Sequence, residues 1–178
     1  GASLVVTPIT QLKTDIRREL TQSMLHGEHV HETARRILSI KDGAGNQALP
    51  NIAPFRSARE RAEVIARTEL SKAANAAHLQ QYQANAKVLP TLVIRWSSAM
   101  CGKMCTRCGA MNGQIAKPGD SFECGVAAPP LHPRCRCRIV SEILSIEDYT
   151  ARFGAPEKMV YSFLKKKTTR SEAVRNVA

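Results

Sequence analysis

The sequence contains few aromatic residues, no long apolar run, and no cysteine outside one short stretch. Phenylalanine, tyrosine and tryptophan make up only 4% of the 178 residues. No run approaches the 18 or more apolar residues of a membrane-spanning helix, so we expect no membrane partner. All six cysteines lie within residues 101–137. Disulfide scaffolds usually spread their cysteines over a small secreted domain, so this clustering argues against one.

The spacing of the cysteines indicates a metal site. Cys105 and Cys108 form a Cys-x2-Cys pair, and His132 and Cys135 form a second close pair. Two short-range pairs separated by a loop are typical of one tetrahedral zinc site, and zinc prefers thiolate and imidazole ligands. We therefore predict one zinc ion with these four ligands. Four protein ligands would close the site, which makes the predicted role structural rather than catalytic.

Cys137 is the main alternate ligand to Cys135. If residues 135–139 are extended, these two cysteines share one face, and Arg136 and Arg138 share the other. Two further cysteines rank lower as ligands: Cys101 and Cys124. The alternatives to a metal are three disulfide bonds, for which six cysteines allow about 15 connectivities, and free thiols.

The chain is strongly basic, with a formal net charge of +11 from 26 basic and 15 acidic residues. Residues 101–140 carry the largest excess of positive charge. This charge indicates either an acidic partner such as nucleic acid or a solvated surface that keeps a small domain soluble. Because excess Lys and Arg contact phosphates rather than bases, any DNA binding should be non-specific.

Residues 1–90 are predicted to form a helical region. A first helix follows from apolar residues at helical spacing, with Thr10 as a possible cap and Gly27 as its end. A second helix is predicted over about residues 30–39, and a turn-rich loop over residues 41–57. The apolar residues of the first helix are Ile9, Leu12, Ile16 and Leu20.

A long third helix is predicted over residues 58–86. Ser57 and Glu60 match the capping-box pattern at its start. Its run of small residues at 73–77 permits close approach by a neighbouring element. On a helix, residues two apart do not face each other, so Arg67 and Glu69 could each reach elsewhere, for instance toward the cysteine stretch.

His29 and His31, near the start of the second predicted helix, are also two residues apart. Side chains at this spacing on a helix point to nearly opposite sides. We therefore expect no metal shared by these two histidines.

Residues 91–142 are predicted to form a small zinc-tied β module. A β-branched and aromatic run at 92–96 indicates a strand, and the Asn112–Gly113 turn leads to a short strand at 114–116. A return strand is predicted over residues 136–140. The metal would tie together the loops of this sheet.

Residues 143–178 are predicted to contain C-terminal helices and a basic tail. The run from Ser145 to Asp148 matches a helix start, and Gly154 a helix end. Pro156 fits the first turn of a last helix, and the tail includes Lys165–Lys167. The predicted fold class is therefore α+β and mostly α-helical.

Three sequence blocks occur together in a characteristic order. They are a helical region leading into Ile65–Glu69 and the alanine-rich run 73–77, a strand with Trp96 leading to Cys105-x2-Cys108 and the Asn112–Gly113 turn, and Pro129–Cys137. In this order, over roughly residues 9–142, they resemble the Mu F-like minor head protein family of tailed phages. The chain departs from that pattern in the segment from Ser97 to Met104, which carries the extra Cys101 where relatives often have an acidic residue and a short run.

The resemblance implies a structural virion protein rather than an enzyme. Family members are incorporated in few copies during head morphogenesis, associate with the portal protein, and in some cases affect packaging or delivery of DNA. The expected partners are therefore the portal and other virion proteins, with non-specific DNA as a further candidate. The expected location is the phage head near the portal vertex, after assembly in the host cytoplasm.

Two other functions are compatible with the residues alone. A free zinc-dependent nucleic-acid-binding module is one, although the interval between Cys108 and His132 is much longer than a zinc-finger loop. A metal-dependent nuclease or deaminase is the other. An enzyme would need an open metal position and a general base, and Glu123 is the only carboxylate near the end of the loop. The His-x-Glu signature of zinc deaminases is absent.

Overall fold

The computed structural model describes residues 8–99 and 104–156. These residues form five α-helices and a three-stranded sheet, which confirms the predicted α+β class. In chain order the elements are α1 (Pro8–Leu25), α2 (Val30–Ser39), α3 (Ala58–Ala86), β1 (Leu92–Ser97), α4 (Thr106–Met111), β2 (Ile115–Ala116), β3 (Arg138–Ile143) and α5 (Ile146–Phe153). None of the described helices combines the length and apolar content needed to cross a membrane.

The described chain divides into two compact units. The first consists of residues up to 75 together with Pro129–Cys137, and the second of Ala76–Ala128 together with the residues from 138 on. The domain boundaries expected from the sequence at residues 90 and 142 remain predictions. The last helix predicted after Pro156, the basic tail and Cys101 lie outside the described residues.

The core of the first unit lies among α1, α2, the following loop and the first half of α3. Its members are small or branched apolar side chains: Leu20, Ala34, Ile37, Leu49, Ala62 and Ala66. Ile37 and Ala62 are fully buried. Alanine on α3 allows this packing because it keeps the helix backbone close to its neighbours. Of the predicted apolar residues of α1, Leu20 is part of this core and Ile16 packs against it, whereas Ile9 is 68% exposed.

The turn between α1 and α2 is held by polar contacts as well as by the core. The Arg36 guanidinium donates two hydrogen bonds of 2.6 Å to the Glu28 carboxylate, and a third of 3.4 Å to Glu19 on α1. The hydroxyl groups of Ser23 and Thr33 are buried and bond to each other. These contacts connect both helices and the turn, whose Gly27 has the positive φ of 65° that suits a helix end.

The Glu28–Arg36 pair makes the stability of this turn depend on pH. The Arg36 hydrogen bond lowers the pKa of Glu28 from its ordinary value of 4.5. A lowered carboxyl pKa adds stability above the ordinary pKa, and this stability is lost as the pH falls through the folded-state pKa. We expect the melting temperature to drop less steeply below pH 4.5 in Glu28→Gln than in the wild type. Glu69→Gln, at an exposed site on α3, should keep the wild-type profile, and an unchanged profile in Glu28→Gln would contradict this role.

The sheet of the second unit has the order β2-β1-β3, with both pairs antiparallel. In the central strand β1, Val93, Ile94 and Trp96 are fully buried. The Trp96 ring packs edge-to-face on Phe122, with 5.2 Å between the ring centroids. The Arg95 guanidinium donates a 2.6 Å hydrogen bond to the Glu142 carboxylate on the neighbouring strand β3. Helix α5 begins where predicted, with the Ser145 hydroxyl accepting the Asp148 N–H at 3.0 Å.

Three local predictions are wrong. Helix α1 already begins at Pro8, so Thr10 lies inside the helix rather than capping it. The return strand begins at Arg138, two residues later than predicted. The rings of His29 and His31 stack at 5.4 Å instead of diverging, because His29 precedes α2 in an extended conformation.

Candidate metal centre

The first cysteine pair is positioned by a short helix. Cys105 is the N-cap of α4, and its sulfur accepts the Cys108 backbone N–H at 3.4 Å. This places both sulfurs on the first turn of α4. Ser98, which follows β1, holds α4 through two hydrogen bonds. Its hydroxyl donates to the Cys108 carbonyl at 2.5 Å, and its backbone N–H donates to the Asn112 side-chain oxygen at 3.0 Å. This helix was not predicted from the sequence.

The second pair is positioned by a tight turn. The Cys135 N–H donates to the His132 carbonyl at 3.1 Å across Pro133 and Arg134. Proline favours the second position of such a turn, and Arg134 occupies the third with the positive φ of 65° that a type II turn requires. The turn therefore brings the ends of the His-x2-Cys pair together.

One ring nitrogen of His132 is hydrogen-bonded to the backbone. Its Nδ1 lies 2.7 Å from the Pro133 carbonyl oxygen, which can only accept a hydrogen bond. Nδ1 must therefore carry the proton, and Nε2 is the nitrogen whose lone pair could bind a metal. Histidine ligands characteristically donate their other ring N–H to a carbonyl in this way.

Cys135 and Cys137 alternate with arginines as predicted. Cys135, Cys137 and Ile139 are buried, whereas Arg136 and Arg138 are exposed. The strand itself begins only at Arg138, but the alternating burial extends back to Cys135. Both cysteines are buried on the same face of the chain. Either one therefore remains a candidate for the fourth metal ligand.

The potential ligand atoms form two groups of three that share Cys108. One group is Cys105, Cys108 and His132, and the other is Cys108, Cys135 and Cys137. Within each group the ligand atoms lie within 4.8 Å of one another. The Cys/His clusters could therefore hold a metal.

All five predicted ligands belong to these groups, whereas the described Cys124 belongs to neither. Which of them complete a single site remains a prediction. No disulfide bond joins two of the five described cysteines.

Three side chains of α3 contact the segment Pro129–Cys137. The Thr68 hydroxyl accepts the Arg134 N–H at 3.2 Å, and the Glu60 carboxylate pairs with the Arg134 guanidinium. The buried Asn75 amide donates to the Cys137 carbonyl at 3.4 Å. The Arg56 backbone N–H and then the Arg134 side chain hold the pKa of Glu60 below its ordinary value. The sequence indicated Arg67 and Glu69 for such contacts and missed these residues.

Comparison with known proteins gives one match. The family model described as Phage Mu protein F like protein matches residues 14–140, which is most of the chain and includes every candidate ligand. No curated protein and no solved structure matches the sequence.

Proposed function

The chain belongs to the Phage Mu protein F like family, and we propose that it is a structural minor head protein of a tailed phage that associates with the portal. Membership over residues 14–140 is the observation that carries this proposal, because the match includes both the helical region and the cysteine stretch. Membership of this family indicates a phage head protein that is part of the virion. It also indicates a structural rather than an enzymatic role. Head morphogenesis and DNA delivery are the steps in which it would act.

The proposed metal is one structural zinc ion. Its ligands would be Cys105, Cys108 and His132, with Cys135 or Cys137 as the fourth. The hydrogen bond between His132 Nδ1 and the Pro133 carbonyl and the burial of Cys108, Cys135 and Cys137 support this choice. Zinc supplies cross-links between distant parts of a chain without redox chemistry. A closed set of four protein ligands leaves no position for a substrate, which agrees with a structural role.

Purified phage particles provide the test of the virion role. We expect the protein to co-purify with complete particles in few copies, and with the portal when heads are disrupted. Quantitative mass spectrometry of particles, with the portal ring as the internal standard, measures this ratio. Absence from particles, together with abundance in the lysate of infected cells, would contradict a head protein.

The second half of α3 is the proposed portal contact. Ala66 in the first half is fully buried, whereas Ala74, Ala76 and Ala77 are exposed. Small exposed side chains would let a partner helix approach closely. The competing contact is the basic tail at Lys165–Arg175, which lies outside the described residues.

Two kinds of variant separate these portal contacts. Ala74→Glu and Ala77→Glu place a charge on the exposed face and should abolish co-purification with the portal while leaving the fold intact by circular dichroism. A chain truncated after Ser162 should still bind. Binding by both folded glutamate variants, with loss of binding on truncation, would reject the helix and assign the contact to the tail.

DNA binding is proposed to be weak and non-specific. The net charge of +11 supports contact with phosphates. We expect affinity to fall by roughly tenfold or more between about 50 mM and about 200 mM salt, because bound counterions are released. Titration of two unrelated duplexes at both salt concentrations measures this. A strong preference for one duplex would instead favour a sequence-specific regulator.

A further inference from the structure

We propose that Thr68 and Asn75 of α3, assisted by Glu60, are positioning residues that hold the metal-ligand segment Pro129–Cys137 in its binding conformation. This inference rests on the proposed zinc site. It assigns to α3 a role beyond forming the helical core of the first unit.

Thr68 fixes the turn that joins His132 to Cys135. Its hydroxyl donates to the Val64 carbonyl at 2.7 Å, which orients the oxygen lone pairs, and it accepts the Arg134 N–H at 3.2 Å. Arg134 has a positive φ of 65°, a conformation that side chains other than glycine rarely adopt. A hydrogen bond to the backbone of that residue opposes relaxation of the turn. The candidate ligands His132 and Cys135 are the first and last residues of this turn.

Asn75 fixes the other end of the segment. It is only 5% exposed, and its amide donates to the Ser71 carbonyl at 2.9 Å and to the Cys137 carbonyl at 3.4 Å. The second of these hydrogen bonds is to the backbone of a candidate ligand. It therefore fixes the backbone position from which the Cys137 side chain extends. Thr68 and Asn75 are seven residues apart, two turns of the same helix face, and can therefore hold one segment at two points.

Glu60 adds an ion pair at the exposed side of the turn. Its carboxylate binds the Arg134 guanidinium and also accepts the Arg56 N–H at 2.8 Å. The two side chains are 30% and 55% exposed, so solvent screens this pair and we expect it to matter less than Thr68.

These contacts give a physical reason why two helical blocks accompany the ligand motif in this chain. Thr68 lies within Ile65–Glu69, and Asn75 is the one polar residue of the alanine-rich run 73–77. A buried asparagine is costly unless its amide is hydrogen-bonded, and here the amide bonds both to Ser71 of its own helix and to the ligand segment.

Metal affinity of the full chain tests the proposal. Cobalt(II) is titrated into metal-free protein and followed by thiolate charge-transfer and d–d absorption, and zinc affinity is then measured by competition with a chelator. Supporting partners of metal ligands typically contribute about 10- to 100-fold in affinity. We expect Thr68→Val and Asn75→Ala each to weaken zinc binding by about tenfold and to alter the cobalt spectrum, and Thr68→Ser to stay near the wild type.

Matched controls isolate positioning from general helix stability. Thr21→Val removes the same kind of hydroxyl-to-carbonyl bond on α1, at 2.9 Å, and Asn85→Ala removes an amide further along α3. Both should keep wild-type affinity. Should Thr68→Val fail to fold, Glu60→Gln compared with Glu63→Gln provides the second test, with a smaller decrease expected only for Glu60→Gln.

Two results would overturn the proposal, and they are distinguishable. Wild-type metal binding with unchanged affinity in Thr68→Val, Asn75→Ala and Glu60→Gln would reject positioning by α3 and leave the zinc site standing. Failure of the wild-type chain to bind cobalt or zinc at all would reject the metal site and the positioning role together.

Discussion

Replacing Cys108 with serine is expected to abolish zinc binding and to unfold the region 91–140. Cys108 belongs to both groups of potential ligands found among the described residues and is only 3% exposed. Binding of structural zinc contributes its free energy directly to folding, on the order of 10 kcal/mol in small zinc domains. The helical core around Ile37 and Ala62 has its own apolar contacts and should keep much of the helical signal.

Two spectroscopic signals separate these effects. Trp96 is the only tryptophan and is fully buried, so its fluorescence should shift to the red when the sheet unfolds. Far-ultraviolet circular dichroism should lose only a small part of its helical signal. Cys124→Ser is the matched control, because Cys124 lies in neither ligand group, and it should behave as the wild type. Loss of all helix in Cys108→Ser would show that the whole chain is one cooperative unit instead.

Replacing Trp96 with alanine is expected to be the most destabilising change in the sheet. The side chain is 0% exposed and packs on Phe122, and truncation of a buried tryptophan costs about 3–5 kcal/mol. Small domains have a total stability of about 5–15 kcal/mol, so the variant should be marginal even with metal bound. Urea denaturation followed by circular dichroism measures the difference from the wild type.

Val88→Ala is the comparison for that measurement. Val88 is 80% exposed, and surface substitutions usually change stability by less than about 0.5 kcal/mol. A cost for Trp96→Ala as small as that of Val88→Ala would contradict the assignment of Trp96 to the core.

Helices α2 and α3 were predictable because each depends on local signals, whereas the short helix α4 was not predicted. Helices α2 and α3 have the predicted bounds, since apolar periodicity and the Ser57 cap are encoded within the elements themselves. The start of β3 was not predictable from alternation. Cys135 and Cys137 alternate in burial like strand residues, yet β1 offers pairing partners only from Arg138 to Ile143.

The grouping of the candidate ligands was predictable, but the contacts that hold them were not. Cysteine and histidine spacing is typical of metal sites, so the five residues that the structure groups could be named from the sequence, and their binding of a metal remains a prediction. The Thr68–Arg134 and Asn75–Cys137 hydrogen bonds join residues 66 and 62 positions apart, and no local pattern marks them. Arg67 and Glu69 drew attention because they are charged, whereas Thr68 between them makes the contact.

The zinc content of protein purified without chelator tests the structural metal site most directly. Elemental analysis, combined with native mass spectrometry, should give about one zinc per chain, because two ligand pairs complete one tetrahedron. Treatment with a chelator should release that metal and shift the Trp96 fluorescence to the red. Protein that contains no metal and yields disulfide-linked peptides from the cysteine stretch would contradict the zinc site.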